Sequence, residues 1–319
     1  MSSTTKVAIA GASGVTGSSI MRALLASPET FEVTMLVRPT SVGKHEYAEF
    51  VECGAVMKPV DLGNISDTVI QALTGMDVVI SCLTLRAFNE EMNLVEAATA
   101  AGVGRYVPSF FGPSCPPRGV MLLRERKEDI LDHIKRLYLP YTVIDFGWWY
   151  QLSLPPLPSG KVQARFEMCT AQILGDGNTP WALTDNRDIG KYVARVIADP
   201  RTLHKSVFGY SGVWSQNAVW DALEKSRASL YPGIMYLYEK ELLALISEGQ
   251  AEMANPAIML QVAMAQYKYS LGIRGDNTPE HAKYLGYLDA KELYPDVEST
   301  PLEAFIRDAV EGRAKPAYS

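Results

Sequence analysis

The sequence predicts an α/β fold, a doubly wound parallel sheet followed by a smaller, mostly helical C-terminal region. Three observations carry this. A short apolar run, Lys6 to Ala10, leads at once into Gly11-Ala12-Ser13-Gly14-Val15-Thr16-Gly17 and then into a helical stretch from Ser18 to Leu25. Apolar runs then alternate with helical periodicity through the first half of the chain, the pattern of parallel strands joined by right-handed crossovers. Near Trp148 the alternation stops at a proline-rich segment.

Each element follows from its residues. Strands are expected at Val7–Ala10, Val33–Val37, Ala55–Met57, Val78–Leu83, Tyr106–Ser109 and Tyr141–Phe146. Their short, continuously apolar character suits a sheet buried on both faces. Helices are expected at Ile65–Leu73, Glu91–Ala101 and Val120–Leu137. The segment Leu152–Gly160, with Pro155, Pro156 and Pro158, can be neither helix nor central strand. Beyond it come a strand around Lys161–Leu174, a turn at Gly175-Asp176-Gly177, and a helix over Ile189–Ala198 with Asp188 as its N-cap. From Val219 onward the chain reads as mostly helical. The expected division is a nucleotide-binding domain over 1-150 and a substrate-side region over 151-319, with some later segments returning to the first core.

Composition narrows the function classes. With 319 residues and 47% hydrophobic content the chain can bury a large core. A net charge of -6 opposes binding to nucleic acid or an anionic membrane surface. There is no membrane-spanning stretch and no secretory pattern, so a cytoplasmic protein is expected. Cys53, Cys82, Cys115 and Cys169 are scattered, as are the histidines, so neither a disulfide framework nor a metal site is indicated.

The glycine segment carries the first chemistry. Strand, glycine turn and helix N-terminus aim unpaired amides and the positive end of the helix dipole at one point, the dinucleotide pyrophosphate site of a Rossmann-type fold. Gly11 permits the turn, Gly14 lets a phosphate approach, and Gly17 brings the helix close to the strand. The second strand ends in Arg38, with Thr40, Ser41 and Lys44 behind it, rather than in an acidic residue. An arginine there suits a 2′-phosphate, so NADP(H) is the expected cofactor, with Asp61 a weaker contact at the adenine end.

The second chemistry is a lysine out of place. Leu123, Lys127, Ile130, Ile134 and Leu137 fall on one stripe of a helix, while Arg124, Glu125, Glu128, Asp129, Asp132 and Lys135 lie elsewhere on the wheel. Lys127 thus occupies a slot that should be apolar. It either serves as a proton donor or packs its stem and extends its head to solvent. The spacing Tyr236–Lys240 matches a Tyr-x-x-x-Lys pair but falls far from where such a pair would act. Phe110, Phe111, Trp148, Trp149 and Tyr150 cluster at the ends of the fifth and sixth strands, where they line a pocket for a flat ring or fill core. Met253, Met259 and Met264, with Tyr267 and Tyr269, read as core or as an adaptable lid.

The ordered set Gly11-x-x-Gly14-x-x-Gly17, Pro108-Ser109-Phe110-Phe111-Gly112, Lys127 ahead of Pro140-Tyr141-Thr142, Asp188-Ile189-Gly190 and Leu293-Tyr294-Pro295 resembles the NmrA-like, isoflavone-reductase-like branch of the atypical short-chain dehydrogenases, over nearly the whole chain. The resemblance implies that Lys127 takes part in catalysis and that Ser109 and Phe110 line the nicotinamide side. It also implies cofactor contacts from Ser13, Val15, Thr16, Ser81, Cys82 and Leu83. The plant reductases read Pro-Ser-Glu-Phe-Gly, whereas this chain has Phe110 for the glutamate, so their substrates do not transfer directly. The expected activity is NADPH-dependent reduction of a small aromatic metabolite, phenolic or polyketide-like, by a monomer or homodimer. The alternatives are an NADP-binding redox sensor without turnover, and a non-redox isomerase or dehydratase on the same scaffold.

Overall fold

The computed structural model describes residues 4–27, 30–161, 172–226 and 235–314. The first half alternates as the sequence predicts: β1 (Thr5–Ala10), α1 (Val15–Leu25), β2 (Phe31–Val37), α2 (His45–Glu52), β3 (Val56–Pro59), α3 (Asp67–Leu73), β4 (Val78–Ser81), α4 (Phe88–Ala100), β5 (Arg105–Val107), α5 (Leu122–Arg136) and β6 (Thr142–Phe146). Strands pair in the order β3-β2-β1-β4-β5, all parallel. A parallel bridge between Tyr106 and Tyr141 carries the sheet on to β6. The chain reverses direction across the sheet between β1 and β4, and a doubly wound sheet opens its ligand crevice at such a point.

The remainder comprises β7 (Trp148–Trp149), β8 (Gln172–Leu174), β9 (Trp181–Thr184), α6 (Ile189–Ala198), β10 (Lys205–Gly209), β11 (Gly212–Trp214), α7 (Gln216–Lys225), β12 (Met235–Leu237), α8 (Glu239–Gly249), α9 (Pro256–Lys268), α10 (Pro279–Tyr284), β13 (Leu288–Asp289), α11 (Ala290–Leu293) and α12 (Leu302–Glu311). Two of these strands rejoin the main sheet, β10 beside β6 and β13 beside β10. The main sheet therefore ends in strands contributed by residues beyond 200. β7, β9 and β11 form a small separate sheet, and β8 pairs with β12.

Apolar side chains cover both faces of the main sheet. One layer gathers Val7, Ile9, Ile20, Met35, Ile144 and Val193; the other gathers Ala8, Val79, Leu94, Val95, Ile130 and Ile134. A third cluster joins Trp148, Leu152, Leu183, Leu223, Leu271 and Phe305 beneath the later helices. No helix among the described residues is long and apolar enough to cross a membrane.

Several expectations need correction. α1 begins at Val15 rather than Ser18, so its first turn lies inside the glycine motif. The helix His45–Glu52 was not foreseen, because it is short and only Tyr47 and Phe50 of its residues are buried. Of the strand expected around Lys161–Leu174, only Gln172–Leu174 lies among the described residues as strand; Cys169 falls outside them. Asp188 occupies the N-cap position of α6 but makes no capping bond. Its carboxylate instead accepts from Lys191 Nζ on α6 itself, from Ser211 Oγ and from the Thr300 amide and hydroxyl, tying two later segments to the start of α6.

Candidate active site

The glycine turn is fixed by backbone contact. Gly11 sits at φ +83°, a region that disfavours side chains, and a Cβ there would lie 2.5 Å from the Cys82 carbonyl oxygen. A Cβ on Gly17 would lie 2.2 Å from the Gly11 carbonyl oxygen, so only glycine lets α1 pack this close to the turn. Gly14 is the N-cap of α1 and no side chain caps it. The first-turn amides therefore have no intrahelical acceptor, and Ser13, Gly14, Val15 and Thr16 line one end of a cavity of about 520 Å³.

From there the cavity runs past Cys82 and Leu83 after β4 and Ser109 to Gly112 after β5. Ser109 is held by two bonds. Its amide donates to buried Glu91 on α4 at 2.8 Å, and its hydroxyl donates to the Leu83 carbonyl at 2.6 Å. Burial pushes the Glu91 carboxyl up, opposed by the Ser109 amide, the Ser81 hydroxyl and the Lys127 charge. Phe111 has φ 37°, left-handed for a bulky residue, and is stitched to β6: its amide donates to Ile144 O, and Gly112 O accepts from Phe146. Strained backbone of this kind survives only where its surroundings over-determine it, and it is found preferentially at functional sites.

Lys127 extends from α5 to this loop, and its ammonium donates to the Phe110 carbonyl. Among the described lining residues it is the one charged side chain. Burial lowers its pKa below the ordinary lysine value; Asp145 and Glu91 oppose that shift, while Arg124 reinforces it. The far wall is aromatic and apolar, with Trp148, Trp149 and Leu152 from the chain after β6, Leu123 from α5, and Met264 and Tyr267 from α9. The rings of Trp148 and Tyr267 pack 5.5 Å apart.

Most of the residues singled out in the sequence converge here. Ser13, Gly14, Val15, Thr16, Cys82, Leu83, Ser109, Phe110, Phe111, Lys127, Trp148 and Trp149 all line the cavity, with Gly11 and Gly17 shaping the turn behind it. Ser81 does not: it is fully buried, and its hydroxyl turns toward Glu91 and Tyr106 because it points into the sheet layer rather than out of the strand end. Tyr150 is also core. Its ring packs 5.5 Å from Phe305 and its hydroxyl donates to Thr300 O at 3.3 Å. Arg38 and Lys44 are exposed outside the cavity lining, beyond the end of β2 and at the start of α2. Asp61 is exposed and accepts from the Gly63 amide. Tyr236 and Lys240 are exposed away from the lining. Of the late methionines, Met264 reaches the cavity while Met259 faces solvent.

Glu91 was not foreseen, because its burial in the first turn of α4 has no signature in a helix of mixed polarity. Arg124 and Glu128, which lie off the Lys127 stripe of the helical wheel, are also buried. Thr84 and Leu85 extend the lining beyond the expected strand-end contacts. No cluster of metal-ligating side chains occurs among the described residues.

Comparison with known proteins places the chain. The NmrA-like family model matches residues 3–228. An asnovolin J 5′,6′-dehydrogenase of Aspergillus novofumigatus is 40% identical over 97% of this chain and 96% of its own length. An isoflavone reductase-like protein of Olea europaea is 26% identical over 96% of this chain and 99% of its own. Among solved structures, the leucoanthocyanidin reductase of Vitis vinifera in complex with NADPH shares the fold, with a TM-score of 0.77 at 22% identity over 96% of this chain and 99% of that one. A family model matched over most of the chain and a relative aligned almost end to end agree: the protein belongs to the NmrA-like family.

Proposed function

We propose that this protein is an NADPH-dependent reductase of a small aromatic metabolite, phenolic or polyketide-like. The observation that carries the reading is one cavity that joins the Ser13–Thr16 amides to the Lys127 ammonium and an aromatic wall. The glycine turn fits a dinucleotide, since uncapped amides and absent side chains leave a pyrophosphate room to approach. In this reading Arg38 pairs with the 2′-phosphate, which favours NADPH over NADH. The related reductase of Vitis vinifera, seen with NADPH, supports the same choice.

When bound, the nicotinamide supplies a hydride. The protein does the rest. Leu83 and the Ser109–Gly112 turn border the space between nucleotide and acceptor, while Trp148 and Trp149 stack on a flat ring and exclude water. A lining whose one charged group is an ammonium disfavours a cationic or multiply charged acceptor, which would be desolvated without a partner. As hydride reaches an electron-poor carbon, negative charge develops on the conjugated oxygen, and Lys127 donates a proton or a charge-assisted hydrogen bond to it. Its lowered pKa makes the ammonium the stronger acid. The same contacts serve hydride transfer in either direction, which accommodates relatives named as a dehydrogenase and as a reductase.

The test is loss of NADPH fluorescence with a panel of neutral phenolic and polyketide-like acceptors, with NADH as comparator and product mass as confirmation. The expected result is oxidation of NADPH with a product two hydrogens heavier. Tight NADPH binding without oxidation by any acceptor would replace the enzyme with a nucleotide sensor.

A further inference from the structure

Behind Lys127 lies a buried ionic cluster that hydride transfer does not use. Arg124, one turn earlier on α5, is 5% exposed. Its Nη1 donates to Asp145 Oδ2 at 2.6 Å, its Nε to Glu128 Oε1 at 2.8 Å, and its Nη2 to the Tyr287 hydroxyl at 2.6 Å. Tyr287, between α10 and β13, donates in turn to Asp145 Oδ2 at 2.7 Å. Burial disfavours the Arg124 cation, yet Asp145, Tyr287 and Glu128 outweigh it and hold the group charged. Apolar residues of the same volume would stabilise a fold about as well as such a cluster. What the ions add is a fixed charge in a fixed orientation.

The cluster grips the turn that holds the lysine. The Arg124 guanidinium lies 4.7 Å from the Phe110 ring centroid, and Lys127 Nζ lies 5.8 Å from the same centroid, so two cations share one ring. Asp145 Oδ1 accepts from the Gly112 amide at 3.4 Å. Between these two contacts stands the Phe110 carbonyl that receives the Lys127 ammonium. A chain segment more than 140 residues downstream therefore helps to define the position of one amine.

We propose that Arg124 and Tyr287 are positioning residues for Lys127, fixing its ammonium through Asp145 and the Phe110–Gly112 turn. The inference rests on Lys127 being the reactive group of the reductase reading. The charged and titratable groups that act on the amine are Asp145 on β6, Arg124 on α5, Glu91 on α4 and Cys115 in the segment before α5, while Glu128 and Tyr287 act on Arg124. Burial and Arg124 favour the neutral amine, whereas Asp145 and Glu91 favour the ammonium. Removing the Arg124 charge deletes a repulsion and frees Asp145 to act on Lys127, so both effects move the lysine the same way, toward the ammonium.

The test reads the lysine directly. Trace acetylation of the full-length protein with acetic anhydride across pH, with Lys127 followed by mass spectrometry, reports its ionisation without turnover. In Arg124→Met the labelling midpoint should rise by about one pH unit, so that labelling at a fixed pH below both midpoints slows about tenfold. Tyr287→Phe removes a hydroxyl and no charge; kcat should fall about tenfold while the KM for NADPH stays within twofold. An unchanged Lys127 midpoint in Arg124→Met would overturn the proposal. So would a wild-type kcat in Tyr287→Phe, which decides alone if Arg124→Met does not fold. A shifted midpoint in a protein that oxidises NADPH with no acceptor would keep the positioning role and overturn the reductase reading.

Discussion

The two ends of the cavity are built by different means. The nucleotide end is backbone: a glycine turn, the uncapped first turn of α1, and the segments leaving β4 and β5, all within the first 112 residues. The other end, where we place the reaction, is side chain: Lys127 and Leu123 from α5, Trp148 and Trp149 after β6, Met264 and Tyr267 from α9. Backbone geometry tolerates no substitution that adds a Cβ where a carbonyl already sits. Side-chain walls tolerate many, and they set which molecule fits rather than whether the nucleotide does. Damage at one end should therefore leave the other end's binding intact.

The largest expected separation comes from Gly17→Ala. Its Cβ would fall 2.2 Å from Gly11 O and 3.0 Å from Ala12 Cα, both backbone, so α1 must move off the turn. NADPH affinity should fall by about two orders of magnitude, with destabilisation of about 1–3 kcal/mol, as read by fluorescence titration and thermal melting. Wild-type affinity would break the comparison. Arg38→Ala should raise the Kd for NADPH by about tenfold and leave that for NADH unchanged, since a charged hydrogen bond is worth about 1.5–3 kcal/mol before solvent screening. Equal losses for both nucleotides would remove the 2′-phosphate contact.

At the reaction end the pH profile is the sharper probe. A proton donor acts below its pKa, and burial lowers that of Lys127. Turnover should be complete at lower pH and be lost as pH rises through a limb below the ordinary lysine range of about 10.4. A profile flat through that range would separate Lys127 from proton transfer. The smallest effect is expected from Met264→Ala, which enlarges the acceptor wall. The KM for the acceptor should change a few-fold while the Kd for NADPH stays constant; a matching change in NADPH affinity would show that the two ends are coupled.

The same contrast explains what was legible in the sequence. The glycine turn and the alternating strands are local signals, so the fold and the turn that lines one end of the cavity could be read directly. The short helix over His45–Glu52 could not, because two buried aromatics among charged residues form no period. The burial of Arg124 and Glu128, off the apolar stripe of α5, could not be read either. Their partners, Asp145 and Tyr287, lie 21 and 163 residues from Arg124, beyond the reach of any spacing rule. Tyr150 was grouped with Trp148 and Trp149 by adjacency, but the 3-10 turn that begins there sends its ring toward Phe305 instead. Met264 and Tyr267 were ambiguous for a related reason: a core methionine and a cavity methionine have the same neighbours in sequence.

In the proposed reaction one acceptor receives both the hydride and a proton from Lys127, at the aromatic end of the cavity. A single-turnover stopped-flow experiment with saturating NADPH and a turned-over acceptor tests it most directly in Lys127→Met. The expected result is an unchanged Kd for NADPH and a hydride-transfer rate lower by at least about 100-fold. Hydride transfer at the wild-type rate in that variant would contradict it.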